Sequence, residues 1–187
     1  MNVILASQSP RRKELMGLFH IPFTVRVSDA DETMDPNAPA AEQVALVSRR
    51  KAEAVPREAE DVIIAADTIV VCDGEILGKP RDTADASRML HKLSGRDHQV
   101  MTGMTILRGD QVRVCTEITD IHFRDLTDRE IDAYIRTGEP MDKAGAYGIQ
   151  GLGCLLVEGI HGDYYNVMGL PVLRLSRMLA RFGIKLL

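Results

Sequence analysis

Val62-Ile63-Ile64-Ala65-Ala66-Asp67-Thr68-Ile69-Val70-Val71-Cys72 is the most strongly β-like run in this chain of 187 residues, and its reading decides the fold class. It is rich in Val and Ile and ends at Asp73-Gly74, which predicts a central strand over 62–72. One residue in it is out of place. An unpaired carboxylate inside an apolar strand costs several kcal/mol, so Asp67 needs a cation or an exit to a cleft. Pairing with a structural arginine, or capping a neighbouring loop, would also answer that need.

Upstream, an apolar strand over 2–6 leads through a polar turn into a helix opened by Pro10 and carrying Leu15, Leu18 and Phe19. A second strand is expected over 22–27. An acidic loop follows over 29–39, and then a helix to about residue 55 with Val44, Val47 and Ala54 as a modest apolar stripe. Downstream, 83–93 reads as a helix, and 99–107 and 112–123 read as strands joined around Gly109-Asp110. Thr127-Asp128-Arg129-Glu130 is a capping box that starts a helix over 128–137. A Gly-rich loop, a strand over 152–158 and a last helix opened by Pro171, with Leu173, Leu175, Met178 and Leu179, complete the chain. The class is α/β with a mixed central sheet flanked by helices, expected as a single domain over 1–187.

The composition, 45% hydrophobic and 27% charged, is that of a globular chain able to bury a substantial core. No apolar run approaches the roughly 18 residues a membrane helix needs, and the N-terminus lacks the pattern of a signal peptide. Cys72, Cys115 and Cys154 are odd in number and far apart, without disulfide-framework or zinc spacing, which suits a reducing cytoplasm. The net charge of −4 argues against a protein that coats a nucleic-acid backbone. With 4% aromatics and no Trp there is little to stack a series of bases, but a single nucleotide is a reasonable ligand. The five histidines lack zinc-site spacing, and no G-x-S-x-G elbow is present.

The turn Ser7-Gln8-Ser9-Pro10-Arg11-Arg12 puts a helix N-terminus, two hydroxyls and two guanidinium groups around one spot. Free backbone N–H groups and the helix dipole favour an anion there, and arginine forks match phosphate oxygens. Ser9 as a simple helix cap, with Arg11 and Arg12 in solvent, is the other reading. Arginine in a first helical turn is unfavourable unless something negative is near, which weighs toward a polyphosphate site. With such a ligand, Asp67 can hold Mg2+ and orient or deprotonate the attacking water, with Glu32 as a second carboxylate. Asp29, Asp31 and Asp35 are equally acidic neighbours, and chemistry alone does not choose among them.

Gly74-Glu75-Ile76-Leu77-Gly78-Lys79-Pro80 has three residues between its glycines where a P-loop has four, and Pro80 stands in place of the metal-binding Ser or Thr. Lys79 can still neutralise phosphate charge during bond cleavage, or be a solvated turn lysine. Lys51, within Arg49-Arg50-Lys51, fits an exposed helix face equally well. In Asp142-Lys143-Ala144-Gly145-Ala146-Tyr147-Gly148-Ile149-Gln150-Gly151, small residues permit close backbone approach. There the Gln150 amide suits a pyrimidine imide edge, and Tyr147 either packs near a base or is buried in a tight loop.

Five blocks in order along nearly the whole chain carry a resemblance: Leu5 to Arg12, Ala65 to Val70, Gly78-Lys79-Pro80, Leu93-Ser94-Gly95-Arg96 and Asp142 to Gly151. Together they resemble the Maf family of nucleotide pyrophosphatases. The resemblance implies an elongated α/β fold of the Maf and ITPase kind, with two lobes around a substrate cleft, as a homodimer. It further implies Mg2+- or Mn2+-dependent cleavage of a nucleoside triphosphate between its α- and β-phosphates. Asp67 matches the family's proton acceptor, Ser7, Arg11, Arg12, Lys51, Lys79 and Gln150 match polar substrate-site positions, and Glu32 matches the loop acid. The late loop is similar to that of the branch acting on dTTP and UTP, with Arg12, Thr68 and Gln150 as specificity positions. A related branch that prefers 7-methyl-GTP carries Glu near the position of Gln150. The family name is also associated with inhibition of septum formation, so a nucleotide-sensing regulator of cell division is the reading from another class. Gln8 departs from the small residue common in relatives.

Overall fold

Residues 1–27, 29–35 and 37–187 are described by this computed structural model; Ser28 and Pro36, the latter within the acidic loop, lie outside the described residues. In chain order the elements are β1 (Val3–Leu5), α1 (Pro10–Gly17), β2 (Thr24–Val25), α2 (Ala40–Glu53), β3 (Val62–Cys72), β4 (Glu75–Leu77) and α3 (Thr83–Leu93). They continue with β5 (Asp97–Arg108), β6 (Gln111–Phe123), α4 (Asp128–Arg136), β7 (Val157–His161), α5 (Tyr164–Met168) and α6 (Val172–Ala180). The strands form one mixed sheet in the order β2-β1-β3-β5-β6-β7, with β4 paired to β3. The expected α/β class with helices flanking a mixed sheet is what the chain adopts. The chain divides into two compact units: Met1–Asp67, Thr102–Glu117 and Gly169–Leu187 make the first, Thr68–Met101 and Ile118–Met168 the second.

In the first unit, β1 lies parallel to both β2 and β3, with Val3 opposite Val62, Ile4 opposite Ile63 and Leu5 opposite Ile64. Ile4, Leu5, Ile63 and Ile64 are fully buried, which is why both runs are continuously apolar instead of alternating. A core of Ile4, Ala6, Ala52, Val55, Ile63, Ala65 and Leu107 joins these strands to α2 and β5. Three contacts fix α2 on the sheet. At Gly103 of β5 the helix backbone comes so close that an added Cβ would collide with the Val44 carbonyl. Ser48 and Thr105 share a buried hydroxyl hydrogen bond of 2.8 Å, and Thr116 Oγ1 of β6 donates to the Ala41 carbonyl at 2.8 Å. The strand expected over 22–27 shortens to Thr24–Val25, both exposed at the edge of the sheet.

In the second unit, Asp73 and Gly74 both take positive φ (51° and 78°) and form a two-residue turn that pairs β4 back on β3. Asp-Gly marks a hairpin turn as well as a strand end. Leu90, Leu93, Ile121, Phe123 and Ile131 are central to this unit's core, with α3 and α4 packed together over it. The capping box forms as expected: Thr127 Oγ1 accepts from the Glu130 amide and the Glu130 carboxylate accepts from the Thr127 amide at 2.8 Å. The strand expected over 152–158 is a correction. Gly151–Leu155 is a 3-10 turn, and the strand is displaced to Val157–His161, antiparallel to β6. The Leu152 and Gly153 amides, which a strand ladder would need, are bonded to the carboxylate of Glu139. Among the described residues no helix is long and apolar enough to cross a membrane.

Candidate active site

The parallel register carries the first unit's polar residues to one place. Leu5 is opposite Ile64, so as β3 runs on to Asp67 it passes alongside the turn that follows β1. Carboxyl ends of parallel strands are where open α/β sheets place their ligands. Buried residues flank positions 67 and 68 on both sides, and these two alone in the middle of β3 are partly exposed. Asp67 therefore has its exit from the core.

It also has its cation. Lys51 Nζ lies 2.6 Å from Asp67 Oδ1 and 3.0 Å from a Glu32 carboxylate oxygen, with the side chains of Lys51 and Asp67 only 16% and 13% exposed. The position of Lys51 follows from helical spacing. It lies seven residues after Val44 and four after Val47, both fully buried, so it shares the inward face of α2. Arg49 and Arg50 point elsewhere: Arg49 pairs with Glu53 on the helix surface, and Arg50 donates to the Thr33 carbonyl at 2.8 Å. That bond, with the Asp35 amide donating to Gln43 at 2.9 Å, ties the acidic loop to α2. The loop acids now separate. Asp31 and Asp35 turn their carboxylates onto the Thr33 and Asn37 amides, whereas Glu32 reaches Lys51.

At the turn, Ser9 caps α1 by accepting from the Arg12 amide at 3.5 Å, and Pro10 occupies the first helical position. The Ser7 hydroxyl oxygen accepts from the Ser9 amide and from Arg12 Nη1, both at 3.2 Å, which leaves its own proton for an incoming acceptor. Arg12 Nε donates to the Gly169 carbonyl at 2.7 Å, so the guanidinium of this half-buried residue is held against the protein. Burial draws Arg12 below its ordinary pKa; the charges of Asp67 and, less strongly, Glu32 oppose that shift, and Arg11 adds to it. It stays a cation, because guanidinium is not deprotonated in proteins. Arg11 stands in the same helical turn. Capping and charge placement thus coexist in this turn: Ser9 caps α1 while the Arg12 guanidinium lies near enough to Asp67 to feel its charge.

Thr68, Lys79 and Gln150 fall in the second unit. Thr68 is partly exposed on β3, and Lys79 is exposed after β4. Its neighbour Gly78 accepts from the Gly145 amide at 3.0 Å, which joins the Lys79 turn to the Gly-rich loop. Gln150 is partly exposed at the start of the Gly151–Leu155 turn. Tyr147 is not available to a base: it is buried, donates or accepts at 2.8 Å with His98 Nε2, and stands edge-on to Phe123 at 4.6 Å. The tight-loop reading of Tyr147 is the correct one.

The Maf-like protein family model matches residues 2–182. The dTTP/UTP pyrophosphatase of Symbiobacterium thermophilum is 52% identical over 182 residues, 97% of this chain and 94% of that protein. The dTTP/UTP pyrophosphatase of Bacillus velezensis is 50% identical over 184 residues, 98% of this chain and 97% of that protein. Among solved structures, a HAM1 protein from Coxiella burnetii covers 97% of this chain and 99% of its own with a TM-score of 0.53 at 14% identity, a likeness of fold.

Proposed function

The chain belongs to the Maf-like protein family, and on that premise we propose that it is a nucleoside triphosphate pyrophosphatase acting on dTTP and UTP, releasing the nucleoside monophosphate and pyrophosphate. The observation that carries the chemistry is the ammonium of Lys51 shared by Asp67 and Glu32 beside the Ser7–Arg12 turn. Two carboxylates converge there on one positive charge, next to donors suited to phosphate.

That donor set fits Mg2+ or Mn2+, which take carboxylate and phosphate oxygens and need only one or two protein ligands. Glu32 and Asp67 would hold the ion, and when bound it supplies charge neutralisation on the phosphate oxygens and a more acidic water. In our reading Asp67 accepts the proton of the water that adds to the α-phosphorus. The bond from that phosphorus to the bridging oxygen breaks, and pyrophosphate leaves with the electron pair. Arg11, Arg12 and the Ser7 hydroxyl bind phosphate oxygens, Ser9 holds the turn in shape, and Lys51 keeps the two carboxylates together. Lys79 offsets charge that develops on the leaving group. Gln150 reads the base, with Thr68 and Arg12 as the other specificity positions. A cytoplasmic homodimer without nucleic-acid partners completes the reading.

A panel of nucleotides assayed for pyrophosphate and for orthophosphate tests it. Release of pyrophosphate from dTTP and UTP, lost on chelation and restored by Mg2+ or Mn2+, is the expected result. Preferential turnover of 7-methyl-GTP would overturn the choice of branch, and orthophosphate as the first product would overturn the reaction.

A further inference from the structure

Gln150 occupies the position that normally caps the turn Gly151–Leu155, yet its side chain makes no capping hydrogen bond. The free amides at the start of such a turn need an acceptor. They find it in a residue of no recognisable sequence motif. The carboxylate of Glu139, eleven residues earlier and just past the end of α4, accepts from the Leu152 amide at 3.0 Å and the Gly153 amide at 3.0 Å.

The same carboxylate accepts from the Tyr134 hydroxyl at 2.9 Å, and the Tyr134 oxygen in turn accepts from the Gly148 amide at 3.2 Å. Gln150 is therefore bracketed. Backbone groups two residues before it and two and three after it are fastened to one Glu–Tyr pair, and Tyr134 is itself anchored in the core on α4. Gly151 completes the fit: its φ is +66°, and an added Cβ would stand 2.7 Å from Glu139 Oε2. Lys143 Nζ donates to the Glu139 carbonyl at 2.6 Å, fixing the backbone from which the carboxylate projects. Burial alone would raise the Glu139 carboxyl, but the two amides and the Tyr134 hydroxyl outweigh it and hold it below the usual carboxylate range.

We propose that Glu139 is a positioning residue for base recognition: by taking over the capping of the Gly151–Leu155 turn it releases the Gln150 side-chain amide and holds it in one place, to be read against the imide edge of the pyrimidine. This role rests on the function proposed above. An amide held in place discriminates uracil, which presents a carbonyl and an N–H, from cytosine, which presents an amine and a bare ring nitrogen.

The test is steady-state pyrophosphate release from UTP and CTP by the full-length wild type, Glu139→Gln and Tyr134→Phe. In Glu139→Gln one acceptor oxygen is replaced by an NH2 that confronts a backbone N–H. KM for UTP should rise about tenfold or more and the UTP-over-CTP preference should fall by a similar factor. The kcat should stay within roughly threefold, because the phosphate grip and Asp67 are untouched. Tyr134→Phe keeps the ring packing and loses one hydroxyl, so it should fold and move both quantities in the same direction by less. Hydrogen exchange at the Gly148, Leu152 and Gly153 amides should rise in both variants. A lowered melting temperature with the UTP-over-CTP preference unchanged would make Glu139 merely structural and overturn the proposal. So would a loss confined to kcat. A wild type that releases no pyrophosphate from any nucleotide would instead overturn the function, and this role with it.

Discussion

At the scale of single residues, the carboxylate that interrupts β3 is answered by one lysine. Asp67 is only 13% exposed in a strand that is apolar apart from it and Thr68, so its partnership with Lys51 satisfies a need already visible in the sequence. Asp67→Asn keeps the shape and removes the acceptor of the water proton. Turnover should fall by roughly 10²- to 10⁴-fold, while a non-hydrolysable analogue of dTTP binds within a few-fold of the wild type by titration calorimetry. Undiminished turnover would remove Asp67 from the chemistry, and any effect on septum formation that survives the change is not caused by catalysis. His98 makes a different prediction. Its ring stands edge-on to Phe123 at 4.9 Å and to Tyr147 at 5.4 Å, and burial pushes it from 6.5 down to about 4 against the opposing pull of the Arg96 carbonyl and Asp97. Below pH 6.5 the unfolded chain binds a proton that the folded chain refuses until about pH 4. The contribution is therefore complete above pH 6.5 and lost as the pH falls toward 4, at most about 3 kcal/mol. Denaturant unfolding at pH 7 and pH 4.5 should show a smaller loss in His98→Gln, which still offers Tyr147 a partner; an equal loss in both proteins would sink this account.

At the scale of elements, α2 decides whether Lys51 meets Asp67. Lys51 reaches Asp67 because α2 is pressed onto β5 at Gly103 and pinned through Ser48–Thr105 and Thr116–Ala41. Gly103→Ala puts a methyl group into the Val44 backbone, so the helix must lift. We expect a loss of about 1–3 kcal/mol in stability from overpacking, together with a fall in kcat/KM larger than that of Ser48→Ala, which loosens the pin without moving the helix. Calorimetric melts and pyrophosphate release on both variants decide it, and normal kcat/KM in Gly103→Ala would show that α2 need not sit where it does. The elements also show where local signals suffice. Thr83–Leu93 and the capped start of α4 form as the sequence predicts because their signals, an amphipathic stripe and a Thr-x-x-Glu box, act within one or two turns. The turn at Gly151–Leu155 reads as a strand from its apolar residues, and becomes a 3-10 turn because Glu139 captures its amides from a distance in sequence.

At the scale of the whole molecule, a net charge of −4 sets what the protein should refuse. On the proposed function the arginines and lysines of the candidate site meet one small polyanion, and fluorescence anisotropy with duplex DNA should show negligible binding at about 0.1 M salt; micromolar affinity with a steep salt slope would place nucleic acid among its partners. The sequence by itself determined the α/β class, the central strand with its misplaced acid, and the Ser7–Arg12 turn, since each depends on residue types adjacent along the chain. Residue chemistry alone did not separate Lys51 from Arg49 and Arg50, or Glu32 from Asp29, Asp31 and Asp35; only the family resemblance named them. Like charges are equivalent while they are solvated, and become different only when a folded backbone turns one of them toward a buried partner. Lys51 lies on the face of Val44 and Val47, but its partner 16 residues away exists only once β3 and α2 are packed. Tyr147 was settled in the same way, by packing against Phe123 and His98 that no local pattern records. Tertiary structure therefore brought Lys51, Glu32 and Asp67 together from among chemically equal candidates, because burial and hydrogen-bond geometry are properties of positions in space and not of positions in the chain.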